Sequence, residues 1–173
     1  MSTTTADRLD VEITALGDLR SDPGAISALL RTLGERLGVQ GFCLDEAGIA
    51  ALDVDAGLTL TLIHVDDRPG VLVVTPIAPI ASVGDAALLR LLQANHDWFM
   101  TGGGTFGVDP EAEAVVFSTF LLLAGRSAAQ QEAALADAIS VAVAWRDAIA
   151  DGSLSGEGRH PVEDSVRPGS IKA

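Results

Sequence analysis

The sequence is poor in the residue types that build covalent links, metal sites and aromatic surfaces. Of its 173 residues one is a cysteine and none is a tyrosine, and aromatic residues make up 4% of the chain. Cys43 has no second cysteine for an internal disulfide, and no cysteine–histidine cluster has the spacing of a zinc site. We therefore expect no bound metal ion and no dependence on an oxidising compartment, and we interpret Cys43 as a small core residue.

Basic residues are also scarce. Eleven lysine and arginine residues face 24 aspartate and glutamate residues, which gives a formal net charge of −13 and an isoelectric point near 4.3. A surface of this sign repels phosphate backbones and anionic membranes, so nucleic acid is excluded as a partner. The acidity favours solubility, and it would also attract basic segments of a partner protein.

Long apolar runs are missing. No stretch reaches the 18 or more apolar residues of a membrane span, and the first ten residues, MSTTTADRLD, lack the basic and apolar regions of a signal peptide. We expect a cytoplasmic protein without membrane insertion. With 48% hydrophobic residues, the chain has enough apolar side chains for the core of one ordinary domain.

No arrangement of residues typical of catalysis is present. His64, His96 and His160 fall on a predicted strand, a predicted helix and a polar tail, and Asp97 points to a different helix face from His96. The run GGGTFG lacks the Lys-Ser/Thr of a phosphate loop and follows a helix instead of preceding one. We expect no catalytic residues, no cofactor and no enzymatic activity.

The first regular pattern predicts a helix. Asp22 is a good N-cap, Pro23 fits the first helical position, and Gly38 is a typical stop. The apolar residues between them recur at spacings of three and four: Ile26, Leu29, Leu30, Leu33 and Leu37.

Three extended segments follow. The first is split by turn residues 45–48 into 41–44 and 48–54, either of which forms the first strand with a bulge or a hairpin. The second, 58–64, alternates leucines with smaller residues. Residues 71–75 predict a third strand, which we expect Pro76 and Pro79 to end because proline donates no ladder hydrogen bond. The three strands form a predicted meander.

The central stretch joins a helix to two more strands. Asp85 is the expected N-cap of a leucine-rich helix, glycines 102–104 form a turn, and 105–108 is extended. After a turn at Asp109, residues 114–123 are apolar on both faces of a strand. The helix and its end carry more apolar residues than one sheet face covers, and a second copy of the chain is the most economical partner: Leu88, Leu91, Leu92, Trp98 and Phe99.

The last helix begins at Ser127, where Gln130 completes a capping box, and ends at Gly152. We expect a flexible arm over 1–21 and a disordered tail over 153–173, which is rich in glycine, proline and charge. The predicted fold class is α+β, a single compact domain over 22–152. Its order is helix, three strands, helix, two strands, helix, with a twisted antiparallel sheet packed by the helices.

The segment TGGGTFGVDP, between a leucine-rich helix and an apolar strand, resembles the class I chaperones of bacterial type III secretion, the CesT/SycE-like family. Members carry a similar helix, a T-G-G-x-T-hydrophobic-x-hydrophobic-D-P turn and strand, and a long C-terminal helix. Upstream, FCLDEAGIAALDVDAGLTLTLIHVDDRPGVLVVTPIAPI is similar to the family's meander, and AVAWRDAI to the end of its last helix. The resemblance covers roughly residues 22–150.

This resemblance implies a homodimeric, ATP-independent chaperone of a Gram-negative type III secretion system, with a role in virulence. It would hold the N-terminal chaperone-binding segment of secreted effector proteins in extended form, soluble and ready for export. The central helix would make the dimer contact through the five residues named above. The first helix and a sheet face would bind the effector through Ile26, Leu29, Leu33, Leu58, Leu60, Leu62, Val71 and Val73.

Two alternatives remain open from the sequence. One is a small-molecule-binding or enzymatic α+β domain, which the absence of converging polar residues disfavours. The other is a structural adaptor that dimerises and binds a folded partner. A stable complex with an unfolded segment of an effector would separate the chaperone from both.

Overall fold

A computed structural model describes residues 22–54 and 57–155 of the chain, so the predicted arm 1–21 and residues 156–173 of the predicted tail lie outside the described residues. The helices are α1 (Pro23–Leu37), α2 (Asp85–His96) and α3 (Ala128–Ala150). The strands are β1 (Ile49–Val54), β2 (Leu58–His64), β3 (Gly70–Pro79), β4 (Thr105–Asp109) and β5 (Ala114–Leu122). The predicted α+β fold and its element order are confirmed.

The five strands form one antiparallel sheet in the order β1-β2-β3-β5-β4. The meander is therefore β1 to β3, and the hairpin of β4 and β5 joins it through β5. In that hairpin Phe106 lies opposite Phe117, and Val108 lies opposite Val115. Strands β1 and β4 are the two edges of the sheet.

The helix ends follow the predicted chemistry with one exception. The Asp22 side chain accepts a hydrogen bond from the Ala25 N–H at 3.0 Å, and Gly38 ends α1 with a φ of +73°. Ser127 and Gln130 exchange the two bonds of a capping box before α3. The N-cap of α2 is Gly84, so the prediction of Asp85 is wrong by one position; Asp85 is the first helical residue, where its carboxylate still faces the positive end of the helix dipole.

Two strand predictions need correction. Only Ile49–Val54 forms a strand within 41–54, because Asp45 accepts hydrogen bonds from the N–H groups of Ala47 and Ile49 and so folds a turn just before β1. The third strand runs on to Pro79 instead of ending at Pro76. Proline's fixed φ suits extended backbone, and only its missing N–H is incompatible with a ladder.

The described chain divides into two compact units. The first contains residues 22–52, 61–73 and 120–134. Its largest fully buried side chains are Ile26, Leu30, Leu33, Leu62, Leu123 and Gln131. Gln131 donates to the Leu123 carbonyl at 2.7 Å, so its buried amide has a partner.

The second unit contains residues 53–60, 74–119 and 135–155 of the described chain. Its centre is aromatic: the Phe106 ring lies 5.4 Å from that of Phe117 and 4.9 Å from that of Trp145, between ring centroids. Trp145 is completely buried, and its indole N–H has no hydrogen-bond partner among the described residues. Phe106 thus joins the edge strand β4 to helix α3.

The ordered chain continues past the predicted domain end at Gly152. Ser153–Ser155 form a single 3-10 turn, in which Leu154 is buried and the Ser153 hydroxyl donates to the Ala148 carbonyl. A hydrogen bond from the Ser153 N–H, and then one from its hydroxyl, lower the pKa of the exposed Asp151 carboxyl. The turn therefore belongs to the folded unit.

Candidate protein-interaction surface

Helix α2 is buried on one side only. Leu91 and Ala94 are buried, whereas Leu92 exposes 64% of its surface and Leu89 exposes 57%. Because residues three apart share a helix face, Leu89 and Leu92 form an apolar stripe that faces solvent. An exposed leucine pair of this kind is typical of a contact surface for another protein.

An apolar groove of about 280 Å³, which we call the α2–β4 groove, lies beside this stripe. Its lining residues are Leu88, Leu91, Leu92, Phe106, Gly107, Val108 and Val115. The groove opens along the edge of the sheet, where Val108 is half exposed. Apolar side chains and one glycine line it, so it lacks the few placed polar side chains that orient a small-molecule ligand.

Asn95 connects α2 to the edge strand. Its side-chain carbonyl accepts a hydrogen bond from the Phe106 N–H at 2.7 Å, and its amide donates to the Phe106 carbonyl at 2.9 Å. Both outward backbone groups of Phe106 are therefore occupied by one side chain. Sequence reasoning missed Asn95, because nothing in its local pattern shows that it reaches a strand 11 residues away.

The chain leaves α2 through a 3-10 turn, Trp98–Thr101, that carries two exposed aromatic rings. Trp98 exposes 69% of its surface and Phe99 61%. The Thr101 hydroxyl lies 2.8 Å from the Trp98 carbonyl and 2.5 Å from the Gly104 carbonyl, and it fixes the turn. The ordered backbone of this turn therefore holds the two rings in solvent.

The five residues predicted for a dimer contact divide between core and surface. Leu92, Trp98 and Phe99 are exposed, Leu88 is half-buried in the groove, and Leu91 is buried within the chain. Leu89 and Val108 are exposed apolar residues that the sequence analysis did not select. The sequence predicted an extended segment over 105–108, but not its position at an edge of the sheet.

The eight residues predicted to bind an effector are mostly buried. Leu29 is half-buried, and the other seven expose 4% or less. Ile26, Leu33, Leu62, Val71 and Val73 belong to the first compact unit, whereas Leu58 and Leu60 belong to the second. Their contact with an effector stays a prediction, and Leu29 is the member of this set whose side chain reaches solvent in the free chain.

Clusters of polar side chains are few among the described residues. No group of three or more His, Cys, Asp and Glu side chains there is placed to hold a metal ion. Nδ1 of the half-buried His64 lies 3.6 Å from a carboxylate oxygen of Asp66, and His96 lines an open concavity of about 490 Å³ with Leu92, Gln93 and Asp97. None of the helices in this part of the chain combines the length and apolar character needed to cross a bilayer.

Comparisons with known proteins place this fold in one family. The model of the Tir chaperone protein (CesT) family matches residues 28–146. A chain in the crystal structure of the ExsC–ExsE complex is 25% identical over 73% of this chain and 95% of its own length, with a TM-score of 0.65. None of the curated proteins matches the sequence.

Two further structures have the same fold at lower identity. A chain of the HopA1–SchA chaperone–effector complex is 18% identical over 76% of this chain and 97% of its own, with a TM-score of 0.60. A chain in the structure of the Yersinia pestis type III secretion chaperone SycH with a stable fragment of YscM2 is 19% identical over 68% and 97%, with a TM-score of 0.55. The family match spans more than half of the sequence, from α1 to α3, and the protein therefore belongs to the Tir chaperone protein (CesT) family of type III secretion chaperones.

Proposed function

We propose that the protein is a cytoplasmic, homodimeric chaperone that works without ATP and without covalent chemistry. It binds the N-terminal segment of one or more secreted effectors in extended form and keeps them ready for export. The observation that carries this proposal is the family match over residues 28–146. It is supported by ExsC–ExsE and HopA1–SchA, two similar structures that are themselves complexes, the second of them a chaperone–effector complex.

Exposed apolar surface supports the homodimer. Trp98 and Phe99 are each more than half exposed, and an aromatic side chain covers roughly 150–250 Å² when it is buried. Stable interfaces bury about 800 Å² per partner, so the two rings with Leu89 and Leu92 supply a large part of that area. Each aliphatic side chain that becomes covered contributes about 1.5–3 kcal/mol.

Sedimentation equilibrium tests the homodimer. We expect a mass of about twice 17.8 kDa for the full chain. Leu92→Asp places a charge on an exposed position of α2, so it should give a folded monomer. Ala86→Asp, another exposed position at the start of the same helix, is the matched control and should remain dimeric.

Circular dichroism accompanies these measurements, since a variant that loses helix content says nothing about the interface. We expect Leu91→Asp to lose helix content, because it buries an unpaired charge next to the groove. A wild-type chain that is monomeric at all micromolar concentrations would contradict the homodimer. A dimeric Leu92→Asp would contradict the α2 stripe as its interface.

Effector binding is tested by co-expression of the full chain with proteins encoded beside its gene. We expect one of these proteins to form a complex with the chain. The N-terminal segment of that protein should resist proteolysis only while it is bound to the chain. Leu29→Asp should weaken the complex, whereas Ala28→Asp, at the preceding and exposed position, should not. Protection of a folded domain instead of an extended N-terminal segment would favour the adaptor.

A further inference from the structure

The outer edge of β4 is defined by the alternation of an antiparallel pair. Residues that exchange hydrogen bonds with the partner strand alternate with residues whose N–H and C=O point away from it. Both backbone groups of Phe106 bond to Asn95, so Phe106 is an outward residue, and so is Val108 two positions later. Strand β4 spans only Thr105–Asp109, which leaves these two as its outward positions.

An unoccupied edge of this kind pairs readily with another strand. On β4 the first outward position is filled by the Asn95 amide at 2.7 and 2.9 Å, which satisfies one donor and one acceptor with a neutral side chain. A strand that pairs with β4 would have to break both hydrogen bonds between Asn95 and Phe106. Otherwise it could bond only to the backbone of Val108. One outward residue is too short a ladder to hold a strand.

From this geometry we propose that Asn95 closes the β4 edge to strand addition, so that a second copy engages the α2–β4 groove through side chains and not through a continuous sheet. The inference rests on the proposed homodimer for its occupant. The occupant follows from the surface around the edge, where the exposed Leu89 and Leu92 stripe adjoins a groove lined by apolar side chains. Such a groove fits apolar side chains from a second α2 stripe.

The experiment opens the edge in the full-length chain. Asn95→Leu keeps the approximate size of the side chain and removes both groups that bond to Phe106. Sedimentation velocity over a concentration series should then show assemblies larger than the dimer, with increased thioflavin T fluorescence. Gln93→Ala is the control, since it removes an exposed amide two residues away on the same helix without adding a large apolar side chain beside Leu89 and Leu92, and it should behave as wild type.

A second substitution distinguishes strand pairing from unfolding. Val108→Pro removes the remaining outward N–H of the edge while keeping an apolar side chain in the groove, and proline is tolerated on an edge strand at such a position. Asn95→Leu/Val108→Pro should return to the dimer. Larger assemblies that persist in this double variant, or an Asn95→Leu chain of wild-type fold and wild-type mass, would overturn the proposal.

If Asn95→Leu does not fold, the dimer dissociation constant of the single variant Val108→Pro tests the proposal. A dimer held by side chains should keep its dissociation constant within about threefold, whereas a dimer held by main-chain pairing loses a symmetric pair of hydrogen bonds and weakens by roughly tenfold or more. The second result would overturn the proposal. A monomeric wild-type chain would refute the homodimer, and the Asn95→Leu assembly would still test the closed edge.

Discussion

At the scale of single residues, Gly104 shows how little space the hairpin leaves. A Cβ at this position would overlap the ring of Phe117 and would lie 2.9 Å from the Ser118 carbonyl oxygen. The ring packs against Phe106 and exposes only 1% of its surface, so any shift would disturb buried neighbours. Glycine is required here for close approach, whereas Gly102 and Gly103 are required for their φ values of +59° and +86°.

We expect Gly104→Ala to lower the free energy of unfolding by about 1–3 kcal/mol, the usual cost of overpacking. Urea denaturation measures the change. Gly107→Ala, three residues later in β4, is the matched control, because its Cβ would meet only Val116 at an ordinary 3.8 Å. Equal stability of the two variants would mean that the Phe117 ring moves aside at no cost.

Substitutions at Gln131 and at its neighbour Glu132 allow a buried hydrogen bond to be compared with an exposed ion pair. Gln131→Leu removes the 2.7 Å bond to the buried Leu123 carbonyl, which keeps only the longer 3.4 Å bond from the Arg126 N–H, and we expect a loss of about 1–3 kcal/mol. Glu132→Gln breaks the 2.7 Å ion pair with Arg36, but both side chains are more than a third exposed, so about 0–1 kcal/mol is expected. The melting temperature of Gln131→Leu should be lower than that of Glu132→Gln, and the reverse order would contradict this expectation.

At the scale of elements, the 3-10 turn after α3 changes where the chain can be cut. Truncation after Gly152 removes Leu154, which is 95% buried, and we expect a loss of about 2–5 kcal/mol, as for other buried leucines. This corresponds to a fall of several degrees in melting temperature.

Truncation after Ser155 is the matched comparison. It removes a segment rich in glycine, proline and charge and keeps Leu154, so it should leave the melting temperature unchanged. Equal melting temperatures for both truncations would show that the Leu154 contact adds no stability.

Helix α2 shows what a leucine-rich pattern leaves open. Its run of leucines correctly predicted a helix with more than one apolar face, and the structure assigns the faces: Leu91 is inside and Leu92 is outside. A difference of one residue is a rotation of about 100° around the helix, enough to separate core from surface. Strand β4 and the 3-10 turn Ser153–Ser155 both contact α2, and their positions determine which side is covered.

At the scale of the whole molecule, the net charge of −13 raises the question of whether charge or apolar contact holds an effector. An exposed ion pair contributes about 0–1 kcal/mol and is screened by salt, whereas a buried aliphatic side chain contributes roughly 1.5–3 kcal/mol. We therefore expect an increase in salt to about half molar to change the dissociation constant of the effector complex only slightly. Isothermal titration calorimetry measures this, and loss of binding in high salt would favour an electrostatic adaptor.

The burial of the predicted effector site changes which substitutions test it. The resemblance to the secretion chaperones implied Leu33 and Leu60 as binding residues, and both expose 1% or less. A polar substitution at either would unfold the chain before it reported on binding. Leu29 remains the informative position on α1.

The sequence by itself determined the features that depend on nearby residues. The cap at Asp22, the stop at Gly38, the capping box at Ser127, strand β2 and the glycine turn all follow from side chains or φ values within a few positions. The order of these elements was also enough for the resemblance to the secretion chaperones, which the family match confirmed.

Only the tertiary structure decided the features that depend on residues distant in sequence. The exposure of Leu92, the passage of β3 through Pro76, the burial of Leu154 and the bond from Asn95 to Phe106 each require a neighbour from another element. A local pattern states that a side chain is apolar or polar, but whether it is covered is set by which strand or helix lies against it. The proposed interaction surface is made of such positions, and for that reason the sequence predicted a partner but not which apolar side chains face it.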